Sequence, residues 1–327
     1  VFRFSVTTLS KQIRLHQGTR LSTPLRGLCL VLLLSLMFSS VASAESEDAD
    51  GFVAGQWEEL VSVPLSTPRY LPSFDNFDLQ EGTYTYVISW QGIPAAEASV
   101  SVSAQGPAGV GSQILVVNTA ETFRPIDLLY KLRFRAETLM NRATFVPDIY
   151  SVQQKENSRV KDLRVNFSED GQISAVRVQH DKREMKRVRF VSQNDTLDPV
   201  SAAFLARSQP WRIGESRSFD VFNGKSRYVI HLTAKERTSI EAGGRIRPAI
   251  MIVPKVENLV NPNQSKKLRE ARIYLSDDRA REILLIESEV FIGTVRTRLK
   301  SFSPLVRPEL REVQVIAQTK ELDKSAL

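Results

Sequence analysis

The chain is poor in the residues that most often carry chemistry. Its 327 residues include one cysteine, Cys29, and three histidines, two of which, His180 and His231, lie beyond residue 44. No serine sits in a Gly-x-Ser-x-Gly elbow, so an α/β-hydrolase nucleophile has no sequence support. Leu28–Phe38 (LCLVLLLSLMF) is the one long apolar run. It is too short to span a bilayer, which needs about 20 residues.

That run has the flanks of an export signal. Lys11, Arg14, Arg20 and Arg26 precede it, without an acid, and Ser39–Ala44 follow as small residues ending in Ala42-x-Ala44. The expectation is a signal peptide over 1–44, cleaved after Ala44, and a periplasmic protein of a Gram-negative-type envelope. A lipidated cysteine follows the apolar run, whereas Cys29 opens it. Cleavage leaves 283 residues with no cysteine, which excludes disulfides, thiol nucleophiles and thiolate metal sites. Such a chain is long enough to stand on an ordinary core.

Nor is there a real excess of positive charge. The net +7 includes five basic residues of the leader, and without them 39 Lys and Arg face 37 Asp and Glu. A global argument for nucleic-acid binding therefore fails. An integral membrane protein is not expected either after the signal is removed.

Alternation dominates the remainder. Thr83–Trp90 (TYTYVISW), Ala98–Ser103 and Ile114–Val117 read as strands. In Leu128–Ala136 the apolar residues share one face and Lys131, Arg133 and Arg135 the other. Asp170-Gly171 and Asn223-Gly224 are hairpin signals. Asp198-Pro199 places an N-cap before a proline at the first helical position, and Pro210 ends the helix over Val200–Arg207. The expected fold is mainly β: a single antiparallel, strongly curved sheet or open barrel-like domain with one short helix. The expected division is 1–44 signal, 45–73 exposed leader, 74–303 β domain and 304–327 C-terminal tail.

Four segments carry a resemblance: YVISWQGIPAAEASV (86–100), LDPVSAAFLAR (197–207), VFNGKSRYVI (221–230) and ARIYLSDDRAREILLIESEVFIGTVRTRL (271–299). In this order they resemble the exported bacterial domain of unknown function 3108, over about Phe77 to Phe302. The last segment is the most specific, through Tyr274, Ser276, Asp277, Asp278 and Gly293. The resemblance implies an exported β protein and no established activity, so no catalytic residue carries over.

Asp277-Asp278 invites a metal or acid/base reading. Calcium wants several oxygen ligands from one loop, and the next three residues hold no acid. A turn with side chains bonded to local backbone is the reading taken. With Ile292-Gly293 as the following corner, Glu289 would face Arg296, Glu287 would face Arg298 and Leu285 would face Lys300, making the glutamates partners of arginines. Two candidate ligand sites stand out. Tyr84, Tyr86 and Trp90 share one strand face, a core stripe or a cavity wall. Lys182, Arg183, Lys186 and Arg187 form a basic cluster, a solvated hairpin edge or a seat for lipid or lipopolysaccharide phosphates.

The functional expectation is a periplasmic protein without cofactor or metal, more binding protein than enzyme, with a lipid, lipopolysaccharide, glycan or envelope protein as partner. The alternatives are a carboxylate-dependent hydrolase of an envelope polymer and a structural envelope scaffold.

Overall fold

Period-2 patterning gives fifteen strands and two helices in the computed structural model, whose described residues are 54–60, 67–106, 112–259, 271–290 and 293–306. The first half comprises β1 (Ala54–Glu59), β2 (Gly82–Trp90), β3 (Ile93–Gln105), β4 (Gln113–Thr122), helix α1 (Arg124–Asp127), β5 (Leu132–Asn141), β6 (Pro147–Glu156) and β7 (Arg159–Phe167). The second comprises β8 (Gln172–Gln179), β9 (Glu184–Val191), helix α2 (Pro199–Arg207), β10 (Ser216–Phe222), β11 (Arg227–Ala242), β12 (Arg245–Asn258), β13 (Ala271–Ser276), β14 (Ile283–Val290) and β15 (Gly293–Pro304). Residues 1–44, read as a signal peptide, and the residues beyond 306, read as a tail, lie outside the described residues.

All strands join one sheet, in the order β1-β9-β8-β7-β6-β5-β4-β3-β2-β15-β14-β13-β12-β11-β10. It is nearly a pure meander, because almost every connection is short and antiparallel neighbours can share a tight turn. Two corrections to the sequence expectation follow. The sheet is mixed, since β1 pairs with β9 in parallel, Trp57 opposite Arg187. No hairpin joins these two strands, so nothing imposes antiparallel geometry on β1, which covers an edge that would otherwise be open. β1 lies within the stretch read as an exposed leader. Among the described residues there are also two helices, not one. Pro125 sits in the first turn of α1, where its missing N–H is harmless, and β5 accordingly starts later than the alternation from Leu128 suggested.

The β14–β15 register is a third correction. Glu287 pairs with Arg296, Leu285 with Arg298 and Glu289 with Thr294. The expected corner was displaced by two in summed register. A shift of two preserves side-chain faces, so the ionic edge survives: Arg296 Nε donates to Glu287 Oε1 at 2.7 Å.

The sheet curls but does not close into a barrel. β10 and β9 form no ladder. Between them runs the segment after β9, in which Leu197 bridges Val221 in parallel. Leu197 N–H donates to the Asp220 carbonyl and Phe222 N–H to the Leu197 carbonyl, both at 2.9 Å. Side chains complete the seam. Arg227 and Asp220 are an ion pair at 2.5 Å, 4% and 0% exposed. Thr196 Oγ1 donates to Asp220 Oδ2 at 2.7 Å, and Arg227 Nη2 to Ser192 Oγ at 3.0 Å. The guanidinium lies over Phe190, whose ring meets Phe222 edge-on at 5.0 Å. Leu163 of β7 packs against Gly224 so closely that a Cβ there would approach it to 2.4 Å.

Helix α2 occupies the concave side. Asp198 accepts from the N–H groups of Val200 and Ser201 and from Thr138 Oγ1 of β5, at 2.8, 3.4 and 3.0 Å. The Ser201 hydroxyl also donates to it. Every α2 residue except Ala203 is buried, so the helix is an interior element, mostly apolar on every side apart from Ser201 and Arg207.

Asp198 itself is wholly buried, and burial raises its pKa above 3.8, against the hydrogen bonds it accepts. Between pH 3.8 and that raised value the folded state holds a proton that the unfolded state has lost. Stability from this group therefore falls as pH rises through the window. Asp198→Asn keeps an N-cap acceptor and removes the titration. Urea denaturation at pH 4 and pH 7 should show the variant gaining on the wild type as pH rises; an unchanged difference would refute this.

Candidate functional site

β2 sends Tyr84, Tyr86 and Ile88 inward, and β4 sends Ile114, Val116, Asn118 and Ala120 the same way. Between these strands and α2 lies a cavity of about 30 Å³ for the centres of water-sized spheres, lined by Tyr84, Tyr86, Asn118, Phe204, Arg207 and Ile286, among others. A single water needs about 10–15 Å³ on this measure, so the space suits a few waters or one small group. Most of the wall is apolar.

Among the polar side chains that interrupt it, three stand out. Asn118 is 0% exposed, and neither its amide oxygen nor its amide nitrogen has a hydrogen-bond partner. The hydroxyl of Tyr84, 2% exposed, also lacks one. Leaving a buried polar group unsatisfied costs about 1–3 kcal/mol, and native folds seldom leave several together. Burial raises the pKa of Tyr84, with Arg207 opposing it, so Tyr84 is a neutral donor. Burial raises Tyr86 as well.

Arg207 is the third. It ends α2 and is 6% exposed, yet no carboxylate lies within ion-pair distance among the described residues. Its Nε donates to the Arg281 carbonyl at 2.8 Å and its Nη2 to the Ala280 carbonyl at 3.2 Å. The rings of Phe204, Phe77 and Tyr84 lie 5.0, 5.6 and 5.6 Å from its central carbon. Carbonyls and aromatic faces thus hold this cation.

The carbonyls that hold Arg207 belong to the Ser-Asp-Asp turn. Asp278 Oδ1 accepts from Ser276 Oγ at 2.7 Å and from the Ala280 N–H at 3.1 Å, while Oδ2 accepts from Arg247 at 3.1 Å. Asp277 accepts from Arg237 at 2.8 Å and Arg281 at 3.1 Å. Burial works against ionising Asp278, but the bonds from Ser276, Arg247 and Arg281 outweigh it and lower its pKa. Arg279 forks onto Asp78 at 2.8 and 3.0 Å and reaches the Asp75 carbonyl at 2.7 Å. The turn therefore ties the segment before β2 and the end of α2 to the sheet. Tyr274 donates to Glu287 at 3.3 Å. Gly293 has φ +117° and sits against the Gln91 side chain, where a Cβ would approach to 1.7 Å. Among the described residues, no three His, Cys, Asp or Glu side chains gather as a metal cage would require.

The two groups of candidate ligand residues occupy different places. Tyr84 and Tyr86 line the cavity; Trp90 is half-buried and packs on the core beyond it. Lys182 and Arg183 are exposed at the β8–β9 turn, which closes through a 3₁₀ turn at His180–Lys182 with Arg183 at φ 51°. Lys186 pairs with Glu184 at 3.0 Å, and Arg187 lies over Trp57 of β1 at 5.8 Å. Asn118 and Arg207 were not among the sequence candidates. Asn118 had a readable signal, a carboxamide at a core position of the alternation in ILVVNTAET. Arg207 had a weaker one, a charge closing an apolar helix.

An open, curled β-meander plugged by one buried helix defines the class of protein. The chain belongs to the family described as protein of unknown function DUF3108, whose model matches residues 85–300. Comparison with curated proteins found no match. Among solved structures, the chain is similar to a β-barrel-like protein of domain of unknown function DUF1849 from Brucella abortus, at 8% identity and a TM-score of 0.41, covering 73% of this chain and 100% of that one. It is also similar to an exported-protein candidate with a YmcC-like fold from Bacteroides fragilis, at 8% identity and a TM-score of 0.27 over 72% and 99% of the two chains. A lipoprotein candidate from Parabacteroides distasonis matches at 10% identity and a TM-score of 0.28 over 71% and 99%. Among the described residues, no helix is long and apolar enough to cross a membrane.

Proposed function

We propose that this is an exported, periplasmic, non-catalytic binding protein, released by cleavage after Ala44, and that its ligand is a lipid-class molecule with one polar end seated between α2 and the sheet. One observation carries the reading: the buried Asn118 amide has no partner and faces an apolar cavity beside the unpartnered Tyr84 hydroxyl. Asn118 and Tyr84 supply hydrogen bonds, and Arg207 supplies charge for an anionic end. Apolar walls favour a lipid over a glycan. The cavity as it stands admits only a small group, so an acyl chain enters by displacing α2.

Asn118→Leu tests this. The substitution is expected to raise stability by about 1–3 kcal/mol, by removing an unsatisfied polar group, and to abolish uptake of a fluorescent fatty acid. Higher stability with loss of binding is the signature of a binding residue kept at the expense of packing. Wild-type protein that neither takes up the probe nor carries lipid in native mass spectrometry would refute the carrier reading. The small cavity favours a second reading, a structural envelope scaffold, which cross-linking in cells would test. The hydrolase alternative is the least supported, since Asp277 and Asp278 accept from three arginines.

A further inference from the structure

Independently of the cavity, the turns at one end of the sheet present an arrangement that the interior does not explain. The registers bring the α1 connection between β4 and β5, the β6–β7 turn and the β8–β9 turn to the same rim, side by side in the order of the sheet. The first two are tied directly. Asn157 N–H donates to the Lys131 carbonyl, and Lys131 N–H to Asn157 Oδ1, both at 2.8 Å. His180 of the third contacts Asp162 of β7 at 2.7 Å.

At the outer tip of the first connection stand Leu128 and Leu129, 89% and 59% exposed. Single exposed leucines are ordinary; two in succession on a protruding tip, with nothing covering them among the described residues, are not. Along the same rim lie Arg124 and Lys131 in this connection, Lys155 and Arg159 at the β6–β7 turn, and Lys182 and Arg183 at the β8–β9 turn, all exposed. None of these six has a carboxylate within ion-pair distance among the described residues. Acids of the same rim are already engaged. Asp127 holds Arg133 at 2.5 Å, Asp162 faces His180 and Glu184 holds Lys186. Glu156 and Asp181 accept only from the neutral amides of Gln154 and Gln179, so they keep their negative charge. The six cations outnumber these acids, so the rim carries an excess of positive charge on long stems beside an apolar tip.

We infer that this rim docks on an anionic phospholipid bilayer surface, with Leu128 and Leu129 entering the boundary between headgroups and acyl chains and the cations along the rim meeting lipid phosphates. Charge complementarity argues for this occupant. Separate cations on mobile stems fit a dispersed layer of phosphates, and aliphatic side chains at the tip gain from leaving water. A helix of four residues is too short to act as an amphipathic anchor, so the contact is a reversible one made by a loop tip.

Vesicle co-sedimentation tests the inference, comparing phosphatidylcholine alone with phosphatidylcholine mixed with phosphatidylglycerol. The wild type is expected to bind the anionic vesicles only, and to release as salt rises from about 0.05 to about 0.5 M. Leu128→Glu/Leu129→Glu and Lys182→Glu/Arg183→Glu should each weaken binding about tenfold or more. All these positions are exposed, so both variants should keep the wild-type denaturation midpoint. Both keep the same sequence before β1 as the wild type, so any binding by that segment is common to all three proteins. Absence of wild-type binding at low salt would overturn the inference, as would variants that bind like the wild type. Loss in the charge variant alone, with competition by soluble polyglutamate, would also overturn it, pointing to an acidic protein as the partner.

Discussion

Asp220→Ala is expected to lower the unfolding free energy by about 3–5 kcal/mol, the usual consequence of stranding one member of a buried ion pair. Arg227 would remain 3% exposed without its carboxylate, and Thr196 Oγ1 would lose its acceptor. The site is also where the two ends of the curled sheet are held together without a ladder, so the damage should reach β9 and β10 at once. Urea denaturation gives the free energy, and hydrogen exchange at Leu197 and Phe222 reports the seam, because their N–H groups bond across it. Replacing both partners, as in Asp220→Leu/Arg227→Met, should recover much of the loss, since an apolar pair of similar volume often matches a buried ionic one. A single variant within about 1 kcal/mol of the wild type would show that Arg227 is hydrated in solution.

Phe145→Ala should cost a similar amount, about 3–5 kcal/mol. Its ring is fully buried and meets Phe74, Phe77 and Phe204 edge-on at 5.8, 6.2 and 6.2 Å. It thus joins the segment before β2 to α2. Its backbone is left-handed, φ 57°, unusual for an aromatic residue. The turn enforces this: Asn141 Oδ1 accepts from the N–H groups of Ala143 and Thr144 at 2.8 and 3.1 Å, and Phe145 N–H donates to the Asn141 carbonyl at 2.9 Å. Alanine keeps the strained backbone and loses the ring, so nothing offsets the cavity. A thermal or urea midpoint near that of the wild type would mean the three neighbouring rings collapse into the space.

Much of the fold was legible because local chemistry and global arrangement agree. Asn223-Gly224 turns between β10 and β11, and Asp170-Gly171 between β7 and β8, where Gly171 has φ 81° and a Cβ would come within 2.5 Å of the Ser192 carbonyl. Asp198-Pro199 starts α2 as a cap and a first-turn proline do. Alternation placed Tyr84 and Tyr86 on one buried face. In each case the deciding interactions lie within a few residues of one another, so the sequence states them.

The sequence alone therefore determined a mainly β domain, the faces of its strands, the short helix after Asp198-Pro199 and its family. Tertiary structure alone decided the parallel docking of β1 on β9, the β14–β15 register, the unclosed seam held by Asp220 and Arg227, and the meeting of Asn118, Tyr84 and Arg207 at one cavity. The physical reason is separation along the chain. Alternation has period 2 and is blind to a slip of two residues or to which distant edge a strand will meet. A polar residue in an apolar pattern marks an exception without naming its neighbours, and only the curl of the sheet around α2 brings those neighbours within reach.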